Sequence, residues 1–256
     1  MLHHWTHFRI SHQRRAGVIL LLEALVSNLN LFHSIVALKH LGLVGGWIIR
    51  HLVARGENPA NIRIIDIRKP TRKDIHADEV SFVPGDIRDL ESVRAAFNAD
   101  WPAKSSAQGI TVFYTIAVLR YYERHAAFVP RSSAINVDGT KNVVSVAQNT
   151  RDVEIFIYTS SGSIPIQRTN FWIPPWKKHP TSFVQVIGDD SPIPERQDGF
   201  ISNYAYTKYL AEKIVVEAHD PGKGFRTGCL RPGSPIYGPG GDLCAGAYLL
   251  REQNPS

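Results

Sequence analysis

The sequence is poor in cysteine: its 256 residues include two, Cys229 and Cys244. Neither lies in a CxxC pattern or in a Cys/His spacing typical of metal ligands. This argues against a disulfide framework and against a zinc site, and it predicts reduced thiols in a cytoplasmic protein. No metal site is predicted, and four histidines near the N-terminus are interpreted as part of a disordered tail.

The sequence also lacks a sustained basic helix and a long apolar run. The formal net charge is +6, but the excess is scattered over segments such as "SHQRR" and "PPWKKHP", so nucleic acid is not a predicted partner. The apolar stretch "GVILLLEALV", residues 17–26, is interrupted by Glu23 and is too short to cross a bilayer. It is compatible with an amphipathic helix on a membrane, a helix packed on the domain, or a poorly formed extension.

From residue 34 onward, apolar β-type stretches alternate with helical patterns. Strands are predicted at "SIVAL", "NIRIIDI", "VSFVPGD", "GITVFYTIA", "VEIFIYTSS" and "FRTGCLRP", and helices at "GGWIIRHLVARG", "RDLESVRAAFN", "SAINVDGTKNVVSVAQN" and "YAYTKYLAEKIVVEA". Continuously apolar strands are typical of a sheet covered by helices on both faces. The pattern therefore predicts an α/β fold, a Rossmann-type doubly wound parallel sheet, with ligands at the carboxyl ends of its strands.

Residues 164–202 depart from this alternation, because they are rich in proline, tryptophan and charge. We interpret them as a long surface excursion. Loops of this length are often lids or binding loops, and a decorated surface loop is the alternative.

Acidic residues follow two of the predicted strands. Asp66 ends the second strand, where a carboxylate can accept the ribose hydroxyls of an adenosine and repel a 2'-phosphate, which favours NAD over NADP. Arg68 and Lys69 follow closely and weaken that inference. After the third strand, the Asp86 carboxylate and the Ile87 amide can bind an adenine ring, although capping of the next helix is an equal alternative.

The first turn departs from the G-x-G-x-x-G pattern of a dinucleotide site. In "LKHLGLVGG", Gly42 and Gly45 fit the second and third glycines, whereas His40 occupies the first position. A histidine there costs on the order of 1 kcal/mol if the backbone is left-handed. Gly42 still allows close approach of a pyrophosphate to the helix N-terminus, so the site is weakened but retained.

Tyr204 and Lys208 lie four residues apart in a predicted helix and therefore share a face. A nearby ammonium group stabilises a phenolate and lowers the pKa of the phenol, which makes the tyrosine a usable general acid or base for an alcohol/carbonyl pair. Ser161, at the end of the fifth strand, can hydrogen-bond the same substrate oxygen as charge develops.

The ordered motifs Gly42/Gly45, Asp66, "GDIRD", "INVDGTKNVV", "YTSSGS", "YAYTKYLAEK" and "LRPGSPIYGPGG" resemble the extended short-chain dehydrogenase/reductases. The most similar branch is the 3β-hydroxysteroid dehydrogenase group, which includes the sterol-4α-carboxylate 3-dehydrogenases; "FIYTSSGS" and "LRPGSPIYGPG" are its more specific stretches. The resemblance covers residues 34–242. It predicts an N-terminal extension at 1–33, an NAD-binding Rossmann domain at 34–242 and a remnant of the substrate region at 243–256.

By position, the resemblance implies that Tyr204 is the catalytic tyrosine and that Ser161 polarises the substrate carbonyl. It implies that Lys208 tunes the tyrosine and binds the nicotinamide ribose, and that Arg231 and Pro232 form the turn beside the nicotinamide. The implied reaction is NAD-dependent oxidation of a ring hydroxyl on a steroid or sterol-like substrate. Peripheral membrane contact, a homodimer, and a location in the cytoplasm or on the endoplasmic reticulum membrane fit the same family.

The sequence departs from the family pattern at three places, so alternative functions stay open. The glycine turn is altered at Lys39 and His40, the loop after the fourth strand reads "YTIA" with Tyr114 and Ile116, and only "LCAGAYLLREQNPS" follows "GPGGD". We therefore expect a truncated C-terminal substrate region. A nucleotide-sugar epimerase or dehydratase shares the fold, the cofactor and the Tyr/Lys pair, and a non-catalytic truncated Rossmann protein is the third hypothesis.

Overall fold

The computed structural model describes residues 34–38, 43–69, 79–102, 109–169, 172–173, 175–176, 178, 184–188 and 190–233. Its centre is a parallel sheet in the strand order β3-β2-β1-β4-β5-β6. The strands are β1 (Ser34–Leu38), β2 (Ile62–Asp66), β3 (Ser81–Pro84), β4 (Ile110–Tyr114), β5 (Val153–Thr159) and β6 (Arg226–Leu230). This is the order of a doubly wound dinucleotide-binding sheet, so the predicted fold class is confirmed.

Five helices connect the strands in the described part of the chain. They are α1 (Leu43–Ala54), α2 (Leu90–Asn98), α3 (Val129–Ser133), α4 (Gly139–Asn149) and α5 (Asn203–Glu217). Helix α1 ends two residues before Gly56, whose φ of +99° is a left-handed conformation that glycine adopts without steric cost. The stop predicted at this glycine is confirmed.

The core lies on both faces of the sheet because successive side chains of a strand point to opposite sides. In β1, Ile35 and Ala37 belong to a cluster that packs on α1, whereas Val36 belongs to a cluster that packs on α2, α4 and α5. Strands β2 and β4 are buried over their whole length. The continuous apolar pattern thus reflects helices on both sides, as predicted.

The helix predicted from "SAINVDGTKNVVSVAQN" contains a widened turn. Helix α3 continues into a π-type turn at Ala134–Asp138, and α4 begins at Gly139. Inside the turn, the Thr140 hydroxyl donates to the Asn136 carbonyl at 2.7 Å. The side-chain pattern predicts the helical segment but not the extra residue in its π-type turn. Asn136, which lies in this turn, is buried.

A charged side chain, that of Arg63, lies inside the domain within the apolar pattern of β2. Arg63 is 0% exposed. Its guanidinium donates to the carbonyls of Ala96, Phe97 and Asp100, the last at 2.7 Å, and lies 4.1 Å from the ring centroid of Trp101. Arg63 thereby caps the carboxyl end of α2, where helix carbonyls lack partners within the helix.

The two ends of the predicted surface excursion, residues 164–202, are joined to each other. An antiparallel bridge joins Gln167 to Phe200, and a small cluster of Ile164, Phe200 and Ala205 is buried beneath it. Between these points, most described side chains are exposed, including Trp172, Trp176 and Val184. Among the described residues no helix combines the length and the apolar character that crossing a bilayer requires.

Candidate active site

The residues singled out in the sequence lie at the carboxyl edge of the sheet, as the parallel topology requires. Asp66 is the last residue of β2, Asp86 lies two residues after β3, and Ser161 lies two residues after β5. Pro232 follows β6 by two residues. This edge is where ligands of doubly wound sheets bind.

Tyr204 and Lys208 enter this edge from α5. The helix begins after Ser202, whose hydroxyl accepts from the amide of Ala205 at 3.3 Å and thereby caps the helix N-terminus. Both side chains are buried: Tyr204 is 6% exposed and Lys208 is 1% exposed. Their shared face is turned to the interior rather than to solvent.

The Lys208 ammonium group contacts the end of β5. Nζ donates to the Thr159 carbonyl at 2.6 Å and lies 4.0 Å from the ring centroid of Tyr158. A carbonyl and an aromatic face both favour a cation, and burial makes such contacts strong. These contacts hold the Lys208 side chain beside the strand end that carries the serines.

The Ser161 hydroxyl lies within hydrogen-bonding reach of Tyr204. It also pairs with the Ser163 hydroxyl at 2.8 Å and accepts from the Ser163 amide at 3.2 Å. Ser161 is thus oriented by its own loop and faces the phenol. Ser161 and Tyr204 are therefore neighbours, and Lys208 contacts the end of β5, two residues before Ser161.

The pKa of Tyr204 differs from the sequence-based expectation. Burial is the largest effect and raises the pKa well above its ordinary value; Tyr121 raises it further, and the hydrogen bond with Ser161 lowers it. The lowered pKa expected from Lys208 is not found, because the ammonium group is engaged at the β5 end and desolvation of the phenol dominates. In this structure the tyrosine is a phenol at neutral pH.

Two residues that the sequence analysis missed contact this site. The Tyr121 ring lies 5.0 Å from the Tyr204 ring in an edge-to-face arrangement and is half-exposed. The Asn136 side chain accepts from the Val118 amide at 2.8 Å and donates to the Thr207 hydroxyl at 3.0 Å. Asn136 therefore ties the loop after β4 to α5, and a polar residue on the buried face of a predicted helix was the only signal of it.

Asp66 and Asp86 have different surroundings. Asp66 is 7% exposed, and its Oδ1 accepts from the Arg68 amide at 3.3 Å. Asp86 pairs with Arg88, whose Nη2 lies 2.6 Å from Oδ2, and these hydrogen bonds lower the pKa of Asp86. Helix α2 is capped by Asp89 rather than by Asp86, so capping does not account for the Asp86 side chain.

The remaining predicted cofactor contacts are only partly within the described structure. Gly45 lies in the first turn of α1, whereas His40 and Gly42 lie outside the described residues. The side chain of Ile87 is buried, and its carbonyl accepts from Nδ2 of Asn142 at 2.9 Å. The Pro232 carbonyl accepts from the Gly162 amide at 3.0 Å.

A solvent-open cavity of about 890 Å³ is lined by Arg124 and by residues of the surface excursion. Its lining includes Arg124, Trp172, Ile193, Arg196 and Asp198. The side chain of Gln197, which lies between two of these residues, donates to Oδ1 of Asn203, the residue before Tyr204. In the described part of the chain, no three His, Cys, Asp or Glu side chains are grouped as a metal site would require.

A family model described as the 3-beta hydroxysteroid dehydrogenase/isomerase family matches residues 37–253. A 3 beta-hydroxysteroid dehydrogenase/Delta 5-->4-isomerase of Mycobacterium tuberculosis is 30% identical over 203 residues, which are 78% of this chain and 46% of that protein. A decarboxylating sterol-4-alpha-carboxylate 3-dehydrogenase of Saccharomyces cerevisiae is 26% identical over 81% of this chain and 52% of its own length. The chain spans about half the length of the curated relatives it matches.

Solved structures share the fold at low sequence identity. A UDP-glucose 4-epimerase superposes with a TM-score of 0.55 at 17% identity, covering 78% of this chain and 51% of that one. The Bordetella bronchiseptica enzyme WbmH in complex with NAD+ superposes with a TM-score of 0.51 at 18% identity, covering 77% and 54%. These similarities establish the Rossmann architecture.

Proposed function

The chain belongs to the 3-beta hydroxysteroid dehydrogenase/isomerase family, and we propose that it catalyses NAD-dependent oxidation of a hydroxyl group on a steroid or sterol-like substrate. The observation that carries the proposal is the convergence of Tyr204, Lys208 and Ser161 at the carboxyl edge of the sheet. The named relatives are dehydrogenases that act on such hydroxyl groups.

The residues present fit a nicotinamide dinucleotide. A buried carboxylate, Asp66, ends β2, the position suited to a ribose diol. In the proposal, Gly42 and Gly45 hold the pyrophosphate and Asp86 and Ile87 hold the adenine. Lys208 would bind the nicotinamide ribose, and Pro232 would contact the nicotinamide. Bound NAD supplies the acceptor for the hydride.

The chain's own groups move the proton. Tyr204 takes the proton of the substrate hydroxyl, and Ser161 donates a hydrogen bond to the same oxygen. Because burial raises the pKa of Tyr204, the base form is scarce at neutral pH. Oxidation should therefore become faster as pH rises, and reduction, which needs the phenol, should be favoured at lower pH.

We expect the purified protein to form NADH from NAD+ and a 3β-hydroxysteroid, and to prefer NAD+ over NADP+. The preference follows from Asp66, whose carboxylate repels a 2'-phosphate. The measurement is steady-state NADH absorbance with both cofactors, together with cofactor titration by fluorescence. Turnover of a UDP-sugar in place of the steroid would favour the epimerase reading, and no NAD binding at millimolar concentration would favour the non-catalytic one.

The proposal includes peripheral contact with a membrane, either from the cytoplasm or on the endoplasmic reticulum, because a sterol-like substrate is dissolved in lipid. Trp172 and Trp176 are 66% and 79% exposed, and Lys178 is exposed nearby. Exposed tryptophans beside a cation are suited to the interface of an anionic bilayer. The homodimer expected from the family resemblance stays a prediction.

Joint replacement of Trp172 and Trp176 by alanine should weaken binding to vesicles that contain anionic lipid by about tenfold or more. Burial of one large aromatic side chain is worth roughly 1.5–3 kcal/mol, and about 1.4 kcal/mol corresponds to tenfold. Vesicle flotation measures the effect. Tyr122→Ala is the matched control, since Tyr122 is 80% exposed but lies outside the excursion; equal losses in both variants would contradict membrane contact through the tryptophans.

A further inference from the structure

Glu212 joins the two strand ends that flank the proposed catalytic groups. It lies on α5 and is 8% exposed. Its Oε2 accepts from the Ser160 hydroxyl at 2.5 Å and from Nε of Arg231 at 3.0 Å, and its Oε1 accepts from Nη2 of Arg231 at 2.5 Å. One buried carboxylate thus binds the residue after β5 and the residue after β6, the latter through a two-pronged contact that fixes orientation as well as distance.

Each partner of Glu212 is the chain neighbour of a residue with a proposed role. Ser160 precedes Ser161, Arg231 precedes Pro232, and Lys208 lies one helical turn before Glu212. A contact made by Glu212 therefore restrains groups on three separate elements of the site. The spacing of four residues also places Lys208 and Glu212 on the same side of α5.

The backbone between these strand ends is closely packed. The Ser160 amide donates to the Leu230 carbonyl at 2.6 Å, and the Gly162 amide donates to the Pro232 carbonyl at 3.0 Å. A Cβ added to Gly162 would lie 2.7 Å from the Pro232 carbonyl oxygen, which leaves no room for a side chain. The loop of Ser161 and the turn of Pro232 are therefore in direct backbone contact.

We propose that Glu212 is a positioning residue, which holds Ser161 opposite Tyr204 by fixing Ser160 and Arg231. The inference rests on the proposed function. Hydrogen bonding to the substrate oxygen requires Ser161 and Tyr204 to reach one atom at the same time, and misplacement of about 1 Å can lower a rate about a hundredfold. Glu212 acts through its two partners and contacts no reacting atom.

Glu212→Gln keeps the size of the side chain but removes the charge and the two-pronged acceptor. We expect kcat for steroid oxidation to fall about tenfold to a hundredfold, whereas the dissociation constant of NADH, measured by fluorescence, should change by a smaller factor, because Pro232 is one of several proposed cofactor contacts. Ser160→Ala should lower kcat in the same direction and add little to Glu212→Gln, because both variants break one network.

A readout that is independent of turnover is the amide hydrogen exchange of residues 160–162. Exchange there should accelerate in Glu212→Gln, since Ser160 and Gly162 lose the support of their bonds to Leu230 and Pro232. Arg63→Met is the matched control: it destabilises the domain at the opposite, amino edge of the sheet. It should leave both kcat and exchange at residues 160–162 at wild-type values below the unfolding transition.

The outcomes separate the inference from the function on which it rests. An inactive wild-type protein overturns the proposed function, and exchange at residues 160–162 then still reports whether Glu212 restrains the loop. An active wild type with unchanged kcat and unchanged local exchange in Glu212→Gln overturns the positioning role. Loss of kcat only in proportion to the unfolded fraction, as a destabilised control shows on warming, also overturns it.

Discussion

Tyr204→Phe should lower NAD-linked turnover about a thousandfold while leaving the fold and the cofactor affinity nearly unchanged. A positioned acid or base contributes roughly a hundredfold to ten-thousandfold to a rate, and this variant removes the one hydroxyl proposed to take the substrate proton. Its aromatic ring keeps the edge contact with Tyr121 at 5.0 Å. Single-turnover and steady-state NADH formation, together with NAD titration, measure the two effects separately.

Tyr206→Phe is the matched control, because it removes a hydroxyl from the same helix. The Tyr206 ring packs on Phe200 at 5.3 Å, and its position two residues after Tyr204 places it on a different face of the helix. We expect wild-type turnover from it. Turnover of Tyr204→Phe within about tenfold of the wild type would contradict general-base catalysis by this phenol.

The pH profile gives the same prediction a second test. Tyr204 must lose its proton before it can act as a base, and burial holds its pKa above the ordinary value. In the wild type, oxidation should therefore rise with pH through the neutral range. In Tyr204→Phe, the residual rate should lose this dependence, because no titrating phenol remains at that position.

The sequence predicts the fold well because burial on both faces leaves a strong local pattern. Strand β4 is apolar throughout and buried throughout, and each predicted strand is found. The placement of Asp66 and Ser161 at one edge follows from the parallel topology alone. Local pattern and chain direction are therefore sufficient for the architecture and for the edge that carries the candidate site.

The sequence does not predict contacts between side chains that are far apart along the chain. Asn136 meets Val118 and Thr207 only because a π-type turn rotates it inward. Glu212 and Arg231 lie 19 residues apart in the chain and meet where the middle of α5 packs beside the end of β6. The raised pKa of Tyr204 arises from burial in three dimensions, whereas the spacing to Lys208 alone suggested the opposite direction.

Arg63→Ala should destabilise the domain by about 3 kcal/mol, since it creates a cavity and leaves helix carbonyls without donors. The side chain is fully buried, and burial lowers the pKa of its guanidinium, with Asp100 opposing that effect. A loss of this size should lower the melting temperature by about 6–12 °C for a domain of this length. Denaturant and thermal unfolding measure it.

Arg63→Met separates packing from hydrogen bonding, because methionine fills much of the space but donates nothing. We expect a loss of about 1–2 kcal/mol, which reflects the carbonyls of Ala96, Phe97 and Asp100 left unpaired at the carboxyl end of α2. Arg94→Met is the control, since Arg94 is exposed on α2 and pairs with Glu91, an interaction worth about 0–1 kcal/mol. If Arg63→Met proved as stable as the wild type, the desolvation cost of burying the guanidinium would equal the stabilisation from its hydrogen bonds. The capping role assigned to Arg63 would then be wrong.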